Sequence, residues 1–267
     1  MCAMQPSMPG PSRGAPARRR IISFTELTAA SPEDLAAAFA APPAEAAPWV
    51  EAAARYGIAG AQTRWGQMLL EGLGVPKDER AALGWFKAAA GAGDAAGITM
   101  LGRCHELGWG TPIDYAAAAE CFRRAAEAGF DWGQYNLANM LMRGDGVAQD
   151  RGAALRWYRA AAAQGHAKSI NVVARAMEEG WDTPPDPAGA ARLYRLSAER
   201  GDFRGQFNLG TLLTDEGRIA EAVHWFRESA RLANATFRRS MLTRLGERRE
   251  PEIRAVLAEV EAMLAGG

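Results

Sequence analysis

The chain has 267 residues, of which 31 are basic and 31 acidic, so its net charge is zero. Such a balance supplies no overall field to draw the molecule to nucleic acid or to an anionic membrane. No run of about 18 apolar residues occurs, which leaves no candidate for a membrane-spanning helix. The three cysteines, an odd number, argue against a disulfide framework and for a reducing compartment, read here as the cytoplasm.

Residues 1–20 are rich in Pro, Ser, Gly, Ala and Arg, contain no acidic residue and show no apolar periodicity, so they read as a disordered tail. Arg18, Arg19 and Arg20 invite comparison with an export signal, but Glu26, Glu33 and Asp34 interrupt the apolar run that such a signal needs. They read as a solvated basic tail, with a transit peptide as the alternative. Residues 21–57 read as an N-terminal helical cap. Ser31-Pro32-Glu33 starts a capped helix that reaches Phe39 and breaks at Pro42-Pro43. Residues 48–56 then form a lone second helix, because Trp49 and Gly57 stand 36 residues before Trp85 and Gly93. This half-repeat covers the apolar face of the unit that follows.

From 58 to 232 the chain repeats a helix–turn–helix unit five times, most clearly from Trp132 to Gly165. Tyr135, Leu137, Met140 and Leu141 form an apolar stripe on a first helix. Gly144 stops it, and Gly72, Gly108 and Gly180 hold the same register at steps of 36. Asp150 caps the second helix, in phase with Asp78, Asp114 and Asp186, and Pro187 suits a first helical position. The second helix carries Trp157-Tyr158, matched by Trp85-Phe86, Cys121-Phe122, Leu193-Tyr194 and Trp225-Phe226. The last interval is 32, so four residues are missing from the fifth loop. Small residues such as Ala161-Ala162 follow the aromatics and let neighbouring helices approach. Gly93, Gly129, Gly165 and Gly201 close the helix.

The L-A/G of the first helix, the G-x-G-V-x-x-D loop and the W-[YF]-x-x-A-A of the second resemble Sel-1-like repeats. The loops Gly72 to Asp78 and Gly144 to Asp150 carry the motif whole, whereas the second and fourth units read Gly108-Trp-Gly-Thr-Pro and Gly180-Trp-Asp-Thr-Pro. The fifth, with its short loop, resembles a tetratricopeptide repeat. The resemblance implies an all-α fold, an α-solenoid of stacked antiparallel helix pairs in a Sel-1-like or tetratricopeptide-like superhelix. It also implies a non-catalytic adaptor or scaffold for other proteins, with first helices lining a concave groove. Residues 233–267 leave the repeat register and read as two C-terminal capping helices, at 236–245 and 251–264.

Little in the chain points to catalysis. His105, His166 and His224 lack the spacing of a metal site on one helix, and no phosphate-binding or dinucleotide loop is present, so neither metal nor cofactor is expected. Cys104 and Cys121 fall on core registers and read as buried thiols. No nucleophile–base constellation can be assembled. A hydrolase is kept as an alternative because a few proteins with this resemblance have been associated with hydrolysis. Arg227, Arg231, Arg238, Arg239, Arg244, Arg248, Arg249 and Arg254 form the one basic concentration. It suits a nucleic acid or an acidic partner, but Glu228, Glu247, Glu250 and Glu252 alternate with it, as on a solvated helix.

The expected partner is a protein or an extended, acidic peptide. By resemblance to helical-repeat proteins, the binding row is Gln67, Arg103, Asn139, Arg175 and Thr211, one residue per first helix. Asn136, Arg143, Lys168, Asn171 and Asn208 lie nearby to extend it. An ordinary solvated helix face would show the same polarity. Trp109 and Trp181 follow helix-stopping glycines where Leu73 and Asp145 stand in other units. They either fold back on the adjacent unit or form an aromatic edge for a partner.

Overall fold

A computed structural model describes residues 20–266 of the chain. The tail expected at residues 1–20 lies outside them but for Arg20, whose guanidinium pairs with Glu26 at 3.3 Å and lies 5.6 Å over the Trp49 ring. The described residues form fifteen helices and no strand. An N-terminal group comprises α1 (Phe24–Ala29), α2 (Pro32–Ala40) and α3 (Pro43–Arg55). Five antiparallel pairs follow: α4 (Ala59–Glu71) with α5 (Glu79–Gly91), α6 (Ala95–Leu107) with α7 (Tyr115–Glu127), α8 (Asp131–Arg143) with α9 (Arg151–Ala163), α10 (Ala167–Glu179) with α11 (Pro187–Glu199), and α12 (Phe203–Asp215) with α13 (Ile219–Leu232). The helices α14 (Ala235–Leu245) and α15 (Pro251–Ala265) close the stack.

Local chemistry explains the bounds. Gly72, Gly108, Gly144 and Gly180 end the first helices in the left-handed conformation, at φ of 72°, 76°, 80° and 68°. Asp78, Asp114, Asp150 and Asp186 accept the backbone N–H three residues on, at 2.8–2.9 Å, and so start the second helices. In the fifth unit the turn shrinks to Glu216-Gly217-Arg218, and both helices survive the loss of four residues.

Two N-terminal features differ from expectation. The helix α1 is additional; Ser23 and Glu26 cap it reciprocally, with Ser23 N–H to Glu26 Oε2 at 2.9 Å. The helix α3 begins at Pro43 rather than at residue 48. Pro42-Pro43 ends one helix and opens the next, because a first helical position needs no N–H, and Pro48 is accommodated inside.

The second aromatic of each pair, Phe86, Phe122, Tyr158, Tyr194 or Phe226, is fully buried, whereas Trp85, Trp157, Leu193 and Trp225 are half-buried and pack around the core clusters. Each buried ring faces a small residue on its partner helix. Where the ring is Phe the residue is Gly66, Gly102 or Gly210, and a Cβ there would lie 2.5–2.7 Å from the ring. Where the ring is Tyr, the register holds Ala138 or Ala174. Successive first helices (α4 with α6, α6 with α8, α10 with α12) pack on one another more closely than successive second helices do. The stack therefore curves with its first helices inside. The arrangement is an α-solenoid.

Candidate functional site: an inner groove

The expected binding row lies on first helices, one residue on each of α4, α6, α8, α10 and α12, but its members are unequal. Asn139 accepts the Tyr158 hydroxyl at 2.7 Å, and the Thr211 hydroxyl donates to the Phe207 carbonyl at 3.1 Å. Asn171, which is buried, accepts from Asn208 at 2.9 Å. Arg143 reaches Glu106 at 3.3 Å and also pairs with Asp145. The Asn139, Asn171–Asn208 and Arg143–Glu106 contacts cross between helices, whereas that of Thr211 stays within α12. Arg175 is exposed and lies 3.8 Å from Glu179, whereas Gln67 and Arg103 are half-buried.

Trp109 and Trp181 fold back on neighbouring core clusters, the first of their two expected readings. Trp109 packs on a cluster that includes Leu70, Leu83 and Phe86 of the preceding unit, and Trp181 on one that includes Leu155 and Tyr158. Each indole also carries an arginine of the row: Arg103 lies 5.2 Å over Trp109, and Arg175 lies 5.1 Å over Trp181. Row and aromatic edge are thus one surface, since a cation over an indole face is held by the ring quadrupole.

Between α4, α6 and α8 this surface deepens into a groove of about 760 Å³. Gln67, Arg103, Trp109 and Asn136 line it, as do Leu70, Met100, Phe130 and Trp132, which sequence reasoning did not select. Trp132 is 38% exposed, and the Lys168 ammonium lies 4.9 Å over its ring. A signal existed: Trp132 occupies a register that Gly60, Ala96, Lys168 and Arg204 hold elsewhere, where nothing in the core asks for an indole.

The face is basic beyond the groove. Burial holds the Lys168 ammonium below the usual lysine range, with Asp202 opposing and Arg204 and Arg103 adding to the shift. Burial likewise lowers Arg244, on which Arg175 also acts; Arg244 lies 4.3 Å over the Phe207 ring and so extends the basic row from the C-terminal cap. Other C-terminal arginines are committed locally. Arg227 pairs with Glu259, Arg231 with Glu228 and Arg248 with Asp215, each within 2.7 Å, and Arg238 donates to the Ala230 carbonyl. These four arginines of α13 to α15 and the loop between them are thus engaged within the chain.

Cys104 and Cys121 are free and buried, as their registers require. Burial pushes the Cys104 thiol up to about 12 and raises that of Cys121, so neither is an activated nucleophile. Among the described residues no group of three or more His, Cys, Asp or Glu side chains is placed to hold a metal ion. No helix among them is long and apolar enough to cross a membrane.

Stacked helix pairs with a polar and aromatic groove on the inner side define a helical-repeat solenoid of the scaffold type. The family profile described as Sel1 repeat matches residues 59–94, 95–130, 133–166, 167–202 and 204–234, so the chain belongs to the Sel1 repeat family. Sel1 repeats generally mediate protein interaction and are typically non-catalytic. The fold is similar to a Sel1 repeat protein from Oxalobacter formigenes, at 25% identity and a TM-score of 0.71, covering 86% of this chain and 99% of that one. It is also similar to c5321, a protective antigen of uropathogenic Escherichia coli, at 28% identity and a TM-score of 0.62. Here 84% of this chain is covered but only 49% of the antigen, so the chain spans about half that protein's length. An immunity protein from Pseudomonas aeruginosa, Pa5087, shares the fold at 13% identity and a TM-score of 0.54, covering 78% of this chain and 81% of that one. No curated protein matches the sequence.

Proposed function

We propose that this protein is a non-catalytic adaptor whose inner face binds an extended, acidic segment of a partner protein in the cytoplasm. The observation that carries the reading is the row of cations on that face, Arg103, Lys168, Arg175 and Arg244, each lying over an aromatic ring. Stacking holds these side chains in place, so less freedom is lost when they meet a carboxylate. Adjacent helices sit about 8–10 Å apart and an extended chain advances about 3.3 Å per residue, so each unit meets roughly every third residue of the ligand. Two free buried thiols suit a reducing compartment.

The test is capture of a partner by pull-down, followed by calorimetry against the Arg103→Ala, Lys168→Ala, Arg175→Ala triple variant. Affinity should fall about 100-fold or more, as expected when several charge-assisted contacts are lost. Circular dichroism should stay unchanged. Undiminished affinity with an intact fold would place the site elsewhere.

A further inference from the structure

The groove between α4, α6 and α8 contains two buried donors without partners among the described residues: Nε of Arg103 and Nδ2 of Asn136, the latter on a side chain only 7% exposed. Buried polar groups are nearly always hydrogen-bonded, and a donor left unmade is costly until a ligand supplies its acceptor.

The repeat itself provides the control. Asn208 holds the same register as Asn136 two units later and is satisfied by Asn171 at 2.9 Å. The residue placed to do this for Asn136 is Thr99, whose hydroxyl donates to the Ala95 carbonyl at 2.8 Å and makes no hydrogen bond with Asn136 Nδ2. Arg175, the counterpart of Arg103, has Glu179 four residues on, and Glu179 also accepts from the Trp181 indole at 2.7 Å. Four residues after Arg103 stands Leu107. The hydrogen-bond acceptor and the counter-charge that later units supply from their own chain are therefore missing at this one groove. The donors lie beside an apolar surface of Leu70, Met100 and Phe130, flanked by Trp109 and Trp132. The volume of about 760 Å³ lies within the range of roughly 300–1,000 Å³ usual for ligand pockets.

We propose that this groove receives the free carboxyl terminus of a partner chain whose last residue is large and apolar, the carboxylate taken by Arg103 and Asn136 and the side chain by the apolar surface. The proposal rests on the inner-face reading above and deepens it. A carboxylate fits because it accepts from two donors at once and neutralises the guanidinium. A terminal residue fits better than an internal acidic one, because neighbouring side chains of an extended chain point to opposite sides. Only a chain end places a carboxylate and an apolar side chain on one Cα. Glu71 on the rim is exposed, and Lys77 beside it pairs with Glu79 at 2.9 Å, so neither meets the need of the buried donors.

The experiment uses the full chain and two probes, acetyl-Ser-Ala-Phe with a free carboxylate and the same tripeptide as its C-terminal amide. Titrations are followed by the indole N–H signals of Trp109, Trp132 and Trp181 in nuclear magnetic resonance spectra. The free acid should shift Trp109 and Trp132 saturably, leave Trp181 in place, and bind about tenfold or more tightly than the amide, the worth of a charge-assisted hydrogen bond. Arg103→Gln and Asn136→Asp should each bring the two probes close to equal affinity. Equal binding of acid and amide to the wild-type chain overturns the proposal without any variant, as does a response confined to Trp181. If a captured partner loses affinity for the triple variant yet binds equally well once its own C-terminus is amidated, the inner-face reading stands and this assignment falls.

Discussion

His166 shows how one residue joins structure to pH. Its Nδ1 accepts the Ser169 N–H at 3.3 Å, capping α10, and its ring lies 4.7 Å from Trp132 and 4.8 Å from Tyr135. Burial holds its pKa below the ordinary 6.5, with Asp131 opposing and Lys168 adding to the shift. As pH falls below about 6.5 the unfolded chain takes up this proton first, so the stability it supports is full above that pH and is lost as pH descends through the lowered value. The melting temperature should therefore drop between about pH 7 and pH 5, above the range where ordinary carboxylates titrate. His166→Asn keeps a capping acceptor and should flatten that slope. An unaltered slope in the variant would show that the titration lies elsewhere. Gly102 is a second residue-scale case, because a Cβ there would meet the Phe122 ring at 2.7 Å. Gly102→Ala should cost about 1–3 kcal/mol in denaturant unfolding, the usual price of overpacking. An unchanged midpoint would mean the ring moves aside freely.

At the scale of the helix, caps and rings divide the work. Asp114 accepts from the Ala117 N–H at 2.9 Å, and Asp114→Ala should lower stability by about 0.5–2 kcal/mol. Phe122 is fully buried, so Phe122→Ala should cost about 3–5 kcal/mol. Trp157, although larger, is half-buried where two clusters meet, and its replacement by Ala should cost less than that of Phe122. Chemical denaturation of the two variants side by side gives the order; the reverse order would mean that the seam between units, not the ring beneath it, carries the packing. The pairing of Trp and aromatic was visible in the sequence. Which member points inward was not, because both lie on the apolar side of a helix and only the neighbouring unit separates them.

Over the whole molecule, no unit buries its apolar face alone. Ala46, Ala47, Val50 and Ala53 of α3 form one cluster with Trp65 and Met68 of α4, and the last cluster runs from Ala174 to Val260 of α15. Stability in such a stack comes from neighbour interfaces, so the ends need covers. Deleting residues 1–57 should uncover the Trp65 side of α4 and produce aggregation, measured by light scattering. A monodisperse truncated protein with unaltered melting would remove the capping role assigned to α3.

Period, helix bounds and loop classes were legible because their causes are local. An Asp side chain reaches an N–H three residues on, and a glycine at φ near 70–80° ends a helix whatever lies beyond it. The same locality accounts for the two N-terminal differences: Ser23 and Glu26 form a capping box that opens α1, and Pro43, which with Pro42 follows the end of α2, also opens α3. The candidate site was legible only as registers. Arg103 and Asn136 could be placed on first helices and Trp109 just past the end of one, but Asn139 and Asn208 looked the same and are occupied by Tyr158 and Asn171. Whether a polar side chain is satisfied depends on partners tens of residues away across a helix seam, and so on packing. The sequence by itself determined how many units stack and where each turns; the tertiary structure decided which polar groups on the inner face were left for a partner.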